Sequence, residues 1–258
     1  TLDEFKVIFW WEFIHRFLGR LIGILYLIPL IVFTIKIGFR NTISLHLIFF
    51  LICLQGFIGW YMVSSGLIDS VDVSHYRLAL HLILAFIILS LILWNYLNYK
   101  QLLLPNIKIK NFLSISFVIL LFVQLAVGAF VSGMDAGKIY NTWPFMETNY
   151  FPDDHKISDL FSFTSFNDPS LVQFMHRNLA YLILIFYLFI FIKIYRNKLT
   201  EYFKTINTIG ILLFFQILLG IFTLLYGAKM FISSLHQVNS IFLISSSVYF
   251  LYINTKTN

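Results

Sequence analysis

Apolar residues run along this chain in seven long blocks, broken by short polar segments. A helix needs about 20 mostly apolar residues to cross a bilayer. The blocks at roughly 12–35, 44–64, 77–97, 112–132, 172–192, 206–226 and 233–253 meet that length. The pattern therefore predicts an all-α integral membrane protein. The connections alternate in charge. Those after the first, third and fifth blocks carry Lys36 and Arg40, then Lys100, Lys108 and Lys110, then Lys193, Arg196, Lys198 and Lys204, and Lys256 follows the seventh. Glu201 is the one acid among them. The opposite connections hold Asp69, Asp72, Asp135, Glu147, Asp153, Asp154, Asp159 and Asp168. Basic loops stay inside, so the N-terminus and the acidic loops are expected to face outward. The longest outer loop, about 133–171, carries Trp143 and Pro144 and is expected to be ordered in part, with a frayed tail at 253–258.

Composition agrees and removes alternatives. Charged residues make up 12% of the 258 and hydrophobic ones 59%, where soluble domains carry about 25% charge. Mean hydropathy is +0.84. The net charge of +6 lies in the loops of one membrane side, not on one soluble face, so no nucleic-acid partner is expected. Cys53 is the sole cysteine, which excludes an internal disulfide. The first residues lack the basic segment and apolar core of a signal peptide.

The chain repeats itself. "EFIHRFLGRLIGILYLI" from Glu12 aligns with "QFMHRNLAYLILIFYLF" from Gln173, superposing His15 on His176 and Arg16 on Arg177. Downstream, "RLALHLILAF" and "ISSLHQVNSIF" superpose His81 on His236. The spans between carry related Gln–Gly elements, "LQGFIGW" and "FQILLGIF". Two similar four-helix bundles are expected. The block at 112–132 begins the second, and its counterpart in the first is expected before Thr1, giving eight spans in the intact protein.

Four histidines thus lie near the outer starts of inward-running helices, two per half. A single membrane histidine is ordinarily a hydrogen bond to a neighbouring helix. Four at repeat-related positions, two of them beside Arg, point to a shared task. Two neutral imidazoles facing each other across a bundle can ligate a haem iron axially, between apolar walls. Arg16, Arg20, Arg77 and Arg177 lie at a depth suited to the propionates, which a guanidinium fork matches. Two histidines per half are a poor set for structural zinc. His46 has no repeat partner and reads as structural, and His75 and His155 read as solvated loop residues, with a propionate contact as the alternative for His75.

The halves differ at one position. Glu12 stands one turn before His15, and Gln173 stands before His176. A carboxylate can accept protons, whereas an amide can only hydrogen-bond. The plainer account of Glu12 is a helix-start carboxylate favoured by the dipole, paired with Arg16. Both accounts stand on the sequence.

The stretches "EFKVIFWWEFIHRFLGRLIG", "QGFIGWYMVSSGL", "VSHYRLALHL", "GAFVSGMDAGKIYNTWPFM" and "FMHRNLAYL" resemble the haem A synthase family over essentially the whole chain, in its mitochondrial and alphaproteobacterial form. The resemblance implies two pseudo-repeated four-helix bundles: residues 1–110 as the substrate-haem half, lacking its first helix, and 111–258 as the haem b half. It implies oxidation of the C8 methyl of haem O to the formyl of haem A, for cytochrome oxidase. It gives His176 and His236 to haem b, His15 and His81 to substrate haem O, and the essential carboxylate to Glu12. Expected partners are haem O, the lipid bilayer, haem O synthase, oxidase assembly factors and an electron acceptor of unknown identity. The expected place is a bacterial or mitochondrial inner membrane, with the haem sites toward the outer side. The rival functions are a di-haem b cytochrome that only transfers electrons, a haem transporter or chaperone, and a carrier of an unrelated solute.

Overall fold

The computed structural model describes residues 2–66, 73–100, 104–107 and 109–256. Asp69, Asp72, Lys108, Thr257 and Asn258 lie outside the described residues. Seven long helices carry the fold: α1 (Leu2–Ile37), α2 (Ile43–Gly66), α3 (His75–Lys100), α4 (Asn111–Gly133), α5 (Pro169–Arg196), α6 (Phe203–Leu225) and α7 (Met230–Lys256). All seven are long and apolar enough to span a membrane. Among the described residues there is no strand, only a single bridge between Met146 and Asn149. The chain is an all-α integral membrane protein.

Local chemistry sets the helix ends that matter. Asp168 caps α5, its carboxylate accepting from the Leu171 N–H at 3.0 Å, and Pro169 occupies the first turn. Both are strong helix-start signals, and they fix the height at which His176 emerges. By contrast, α1 begins ten residues earlier than its apolar block. At 1.5 Å per residue its 36 residues extend about 54 Å, well beyond a hydrocarbon core of about 30 Å. Glu12 consequently lies in the helix interior, not at its start, which removes the dipole account of that carboxylate.

Helices α4 to α7 close into a four-helix ring, in which α4 touches α5 and α7 while α6 touches α5 and α7. Helix α3 packs on α4 and α7 from outside. Phe86 and Leu97 of α3 thereby join the main core with Phe117, Ile194, Ile209 and Phe250. Helix α2 lies against α3 over a smaller cluster, Ile48, Ile58, Leu84 and Ile88. Helix α1 packs on α2, and apolar side chains from Phe9 to Phe33 stay exposed around it.

The C-terminal end departs from the expected frayed tail. Helix α7 runs to Lys256, and Asn254 is fully buried. Its carbonyl oxygen accepts from the Ile109 N–H at 2.8 Å and from the Tyr202 hydroxyl at 3.2 Å, and its amide donates to Ser114 at 3.0 Å. A polar side chain that satisfies three buried groups holds the last turn in place.

Candidate functional site

In the first half, His15 of α1 and His81 of α3 stand with ring centroids 6.3 Å apart and planes at 72°. Two metal–nitrogen bonds of about 2 Å each, plus an imidazole radius of about 1 Å on each side, sum to roughly 6 Å. The spacing therefore suits two imidazoles that would hold one iron between them. His81 rests on α2. A Cβ at Gly59 would lie 2.9 Å from its Cε1, and the Gln55 amide donates to the His81 carbonyl at 3.0 Å.

The second half repeats the device twice. His176 of α5 lies on α4, where a Cβ at Gly128 would lie 3.0 Å from its Cε1. The Gln124 amide nitrogen is 3.3 Å from His176 Nε2 and donates to the His176 carbonyl at 3.1 Å. His236 of α7 lies on α6, 3.1 Å from a Cβ at Gly220. The Gln216 amide nitrogen is 3.2 Å from its Nε2 and 3.3 Å from its Nδ1. A Gln and a Gly one turn apart on the same helix face thus seat three of the four histidines. Sequence reading found the Gln–Gly elements but gave them no task. Their shared four-residue spacing, Gln55–Gly59, Gln124–Gly128 and Gln216–Gly220, was the available signal. Among the described residues, His15 has no such seat.

Around this frame the two halves diverge. Glu12 and Arg16 form an ion pair on α1, with both side chains about half exposed, and Arg20 is exposed. Their counterparts on α5 hold the outer loop instead. Gln173 is buried and donates to the Tyr140 carbonyl at 3.1 Å. Arg177 donates to the carbonyls of Tyr140, Thr142 and Phe145 at 2.9, 3.0 and 3.2 Å. The Tyr181 hydroxyl accepts from the Trp143 indole at 2.8 Å, and Asn178 accepts from the Tyr150 hydroxyl at 2.5 Å. Asn141 carries the loop across to α6, donating to the Leu224 carbonyl at 2.8 Å. The terminal nitrogens of Arg177 are therefore committed to backbone, and its buried Nε has no partner among the described residues. Arg77 sits one turn before His81, its guanidinium 4.9 Å from the Tyr61 ring centroid.

Two histidines correct the reading of solvated loops. His75 is the first residue of α3, half-buried, with its ring edge-on to Phe130 at 5.2 Å. Tertiary packing of α3 on the end of α4 encloses it. The His155 side chain is 20% exposed and lies 3.1, 3.6 and 3.7 Å from carboxylates of Asp168, Asp154 and Asp159. It ties the loop to the cap of α5. Asp159 is held below the usual carboxylate range, chiefly by the Lys156 N–H. Tyr140, beside Asp154, is pushed up, first by burial and then by that carboxylate. His46 bonds the Thr42 carbonyl at 2.9 Å and its ring lies 4.6 Å from that of Phe39, tilted by 55°, a local tie.

Residues 1–248 match the model of a family described as cytochrome oxidase assembly protein. The chain belongs to that family. Among curated relatives, a Heme A synthase of Pelagibacter ubique is 46% identical over 99% of this chain and 76% of its own length. A Heme A synthase of Rickettsia bellii is 40% identical over 95% of this chain and 75% of that protein. One of Rickettsia prowazekii is 38% identical over 99% and 78%. The matched residues 1–248 contain every histidine discussed above.

A haem group suits the residues of the paired-histidine sites. His81 and His176 each keep a buried Nδ1 without a partner among the described residues, and glycine makes room for each imidazole edge. Apolar helices flank both pairs.

Proposed function

We propose that this chain is a haem A synthase, which oxidises the C8 methyl of haem O to the formyl group of haem A for cytochrome oxidase. The observation that carries this reading is the unequal repeat: two histidine pairs on matching helices, with a carboxylate beside only one of them. The substrate haem O is assigned to His15 and His81. A resident haem b is assigned to His176 and His236, where it would supply one-electron transfer.

The chain's own residues account for the division of labour. Converting a methyl group and one water to a formyl group releases four protons and four electrons, the electrons leaving to the redox partner, so the substrate half needs a proton acceptor. Glu12, one turn from His15, is the group assigned to that task. Its ion pair with Arg16 holds the carboxylate in one place, and Arg16, Arg20 and Arg77 are assigned to the substrate's propionates. In the second half the aligned Gln173 cannot take a proton. It and Arg177 anchor the outer loop, and the Nε–H and the second Nη2–H of Arg177 are the donors that remain for a propionate there.

Residues 1–110 act in this reading as the substrate half and 111–258 as the electron-transfer half. The basic inner loops support placing both sites toward the outer side of a bacterial or mitochondrial inner membrane. Haem O synthase and oxidase assembly factors are the fitting neighbours, and the electron acceptor is a separate redox partner.

The test is pigment analysis. The chain, co-expressed with a haem O source, is expected to yield haem A in extracted pigments, and Glu12→Ala and His176→Ala are expected to yield little while still inserting in membranes. Normal haem A from both variants would sink the assignment. A haem spectrum without formyl product would indicate the purely electron-transferring cytochrome instead.

A further inference from the structure

We propose that the groove between α5 and α6, at the end of the chain that carries the basic loops, binds one anionic phospholipid. Its acyl chains would lie along the groove and its phosphate against Arg196 and Lys204. The inference does not use the haem assignments, and its test reads lipid alone.

The α5–α6 seam is the loosest of the four in the α4–α7 ring. It opens into a groove of about 650 Å³, walled by Leu188 and Phe191 of α5 and by Ile211, Phe214 and Phe215 of α6. The floor is fixed from within. The Tyr187 hydroxyl crosses the seam and donates to the Ile206 carbonyl at 3.1 Å. Gly210 makes room for that crossing, because a Cβ there would overlap the hydroxyl. The groove is also one leaflet deep. Lys204, Asn207, Ile211 and Phe215 are spaced by three or four residues and so share one face of α6. From Lys204 to Phe215 that face rises about 16 Å, close to half of a hydrocarbon core of about 30 Å.

The groove ends in a polar step. The Asn207 side-chain oxygen accepts from the Tyr195 hydroxyl at 2.9 Å, and the Tyr195 ring stacks on Phe203 with centroids 4.2 Å apart. Beyond this step the unpaired charge is of one sign. Lys193, Arg196, Lys198 and Lys204 belong to the α5–α6 connection and the turns beside it. None of them has an ion-pair partner among the described residues. The acid of that connection, Glu201, is engaged elsewhere, accepting from the Asn106 backbone N–H and side-chain amide, both at 2.8 Å. Apolar groove, polar step and unpaired cations follow the order of acyl chain, ester and phosphate in a phospholipid. Basic pockets between membrane helices recognise anionic head groups. A second copy of the chain, bringing its own basic loops to the same side, would meet like charge there.

The experiment uses the full chain, purified in neutral detergent and stripped of lipid. It is titrated with phosphatidylglycerol or phosphatidylcholine of the same acyl chains, and bound lipid is counted by native mass spectrometry. The wild type is expected to hold one phosphatidylglycerol at least about tenfold more tightly than phosphatidylcholine. Arg196→Gln with Lys204→Gln removes two cations and is expected to weaken phosphatidylglycerol roughly thirtyfold, with phosphatidylcholine unchanged. Ile211→Trp fills the groove with the cations intact and is expected to weaken both lipids. Lys36→Gln with Arg40→Gln removes two cations from the same membrane side at α1 and is expected to match the wild type. Equal affinity of the wild type for the two lipids overturns the proposal. So does undiminished phosphatidylglycerol binding in the Arg196 and Lys204 variant or in Ile211→Trp, or an equal loss in the Lys36 and Arg40 variant. Displacement of the lipid by glycerol phosphate at the same concentration would mark a site for free phosphate and overturns it too. If Ile211→Trp fails to accumulate, the two charge variants decide alone.

Discussion

Replacing Gly128 by Ala places a methyl group where the structure leaves 3.0 Å to His176 Cε1. Carbon atoms in good contact lie about 3.5–4.0 Å apart, so the imidazole must retreat by roughly 0.5–1 Å. Forcing an extra methyl into a packed site costs about 1–3 kcal/mol. Alanine returns about 1 kcal/mol in helix propensity. The remainder, up to about 2 kcal/mol, falls on the position of the ring, and at about 1.4 kcal/mol per decade it weakens haem retention roughly tenfold. The assay is the rate and extent of haem transfer from purified protein to an excess of a haem-scavenging protein. Gly56→Ala on α2 is the matched control, because a Cβ there meets nothing within 4 Å. It should behave as wild type, while Gly59→Ala, three residues on and 2.9 Å from His81 Cε1, should impair the first site. If Gly128→Ala and Gly56→Ala hold haem equally well, the seating argument is wrong.

Other perturbations separate the parts. Glu12→Gln should lower haem A formation by about 100-fold or more, the usual scale for losing an acid–base group, with haem binding intact by visible spectroscopy. Arg177→Leu breaks three bonds to loop carbonyls and should make the 140–150 segment far more sensitive to added protease, whereas Arg16→Leu should not. Asn254→Leu leaves the Ile109 N–H and the Tyr202 hydroxyl without their acceptor and should destabilise the helix bundle by about 1–3 kcal/mol in a thermal or denaturant melt. Asp159 has a lowered folded-state value, so its contribution is complete above the unfolded carboxylate value of about 4. It is lost as pH falls through the lowered value. Protease sensitivity of the outer loop should rise over that interval, and Asp159→Asn should remove the dependence.

The sequence displays the membrane helices plainly, because a 20-residue apolar block has few other uses, and it displays the histidine pairs because the repeat superposes them. The start of α1 was hidden, since Asp3, Glu4 and Lys6 interrupt the apolar pattern without ending the helix. Asn254 was hidden for the opposite reason. A terminal polar residue looks solvated until the groups it satisfies, at positions 109, 114 and 202, are brought to it by folding. Arg177 shows the deeper limit. In sequence it is the twin of Arg16, whose carboxylate, Glu12, is already legible four residues earlier, while only the course of the outer loop gives Arg177 its three backbone carbonyls. The same holds for Gln124 and Gln216, identical in spacing and different in partner.

The outer loop also sets a clock. Its ties to Gln173, Arg177, Asn178 and Tyr181 on α5, and to Leu224 on α6, must be broken together before the outer end of the α4–α7 ring can open. A group held there has its residence time governed by a cooperative, infrequent event. Among the described residues these ties run to α5 and α6, so a group gripped between α1 and α3 lies outside that clasp. Exchange is then expected to be slower in the second compartment than in the first, the kinetic order needed when one occupant is kept and the other is turned over.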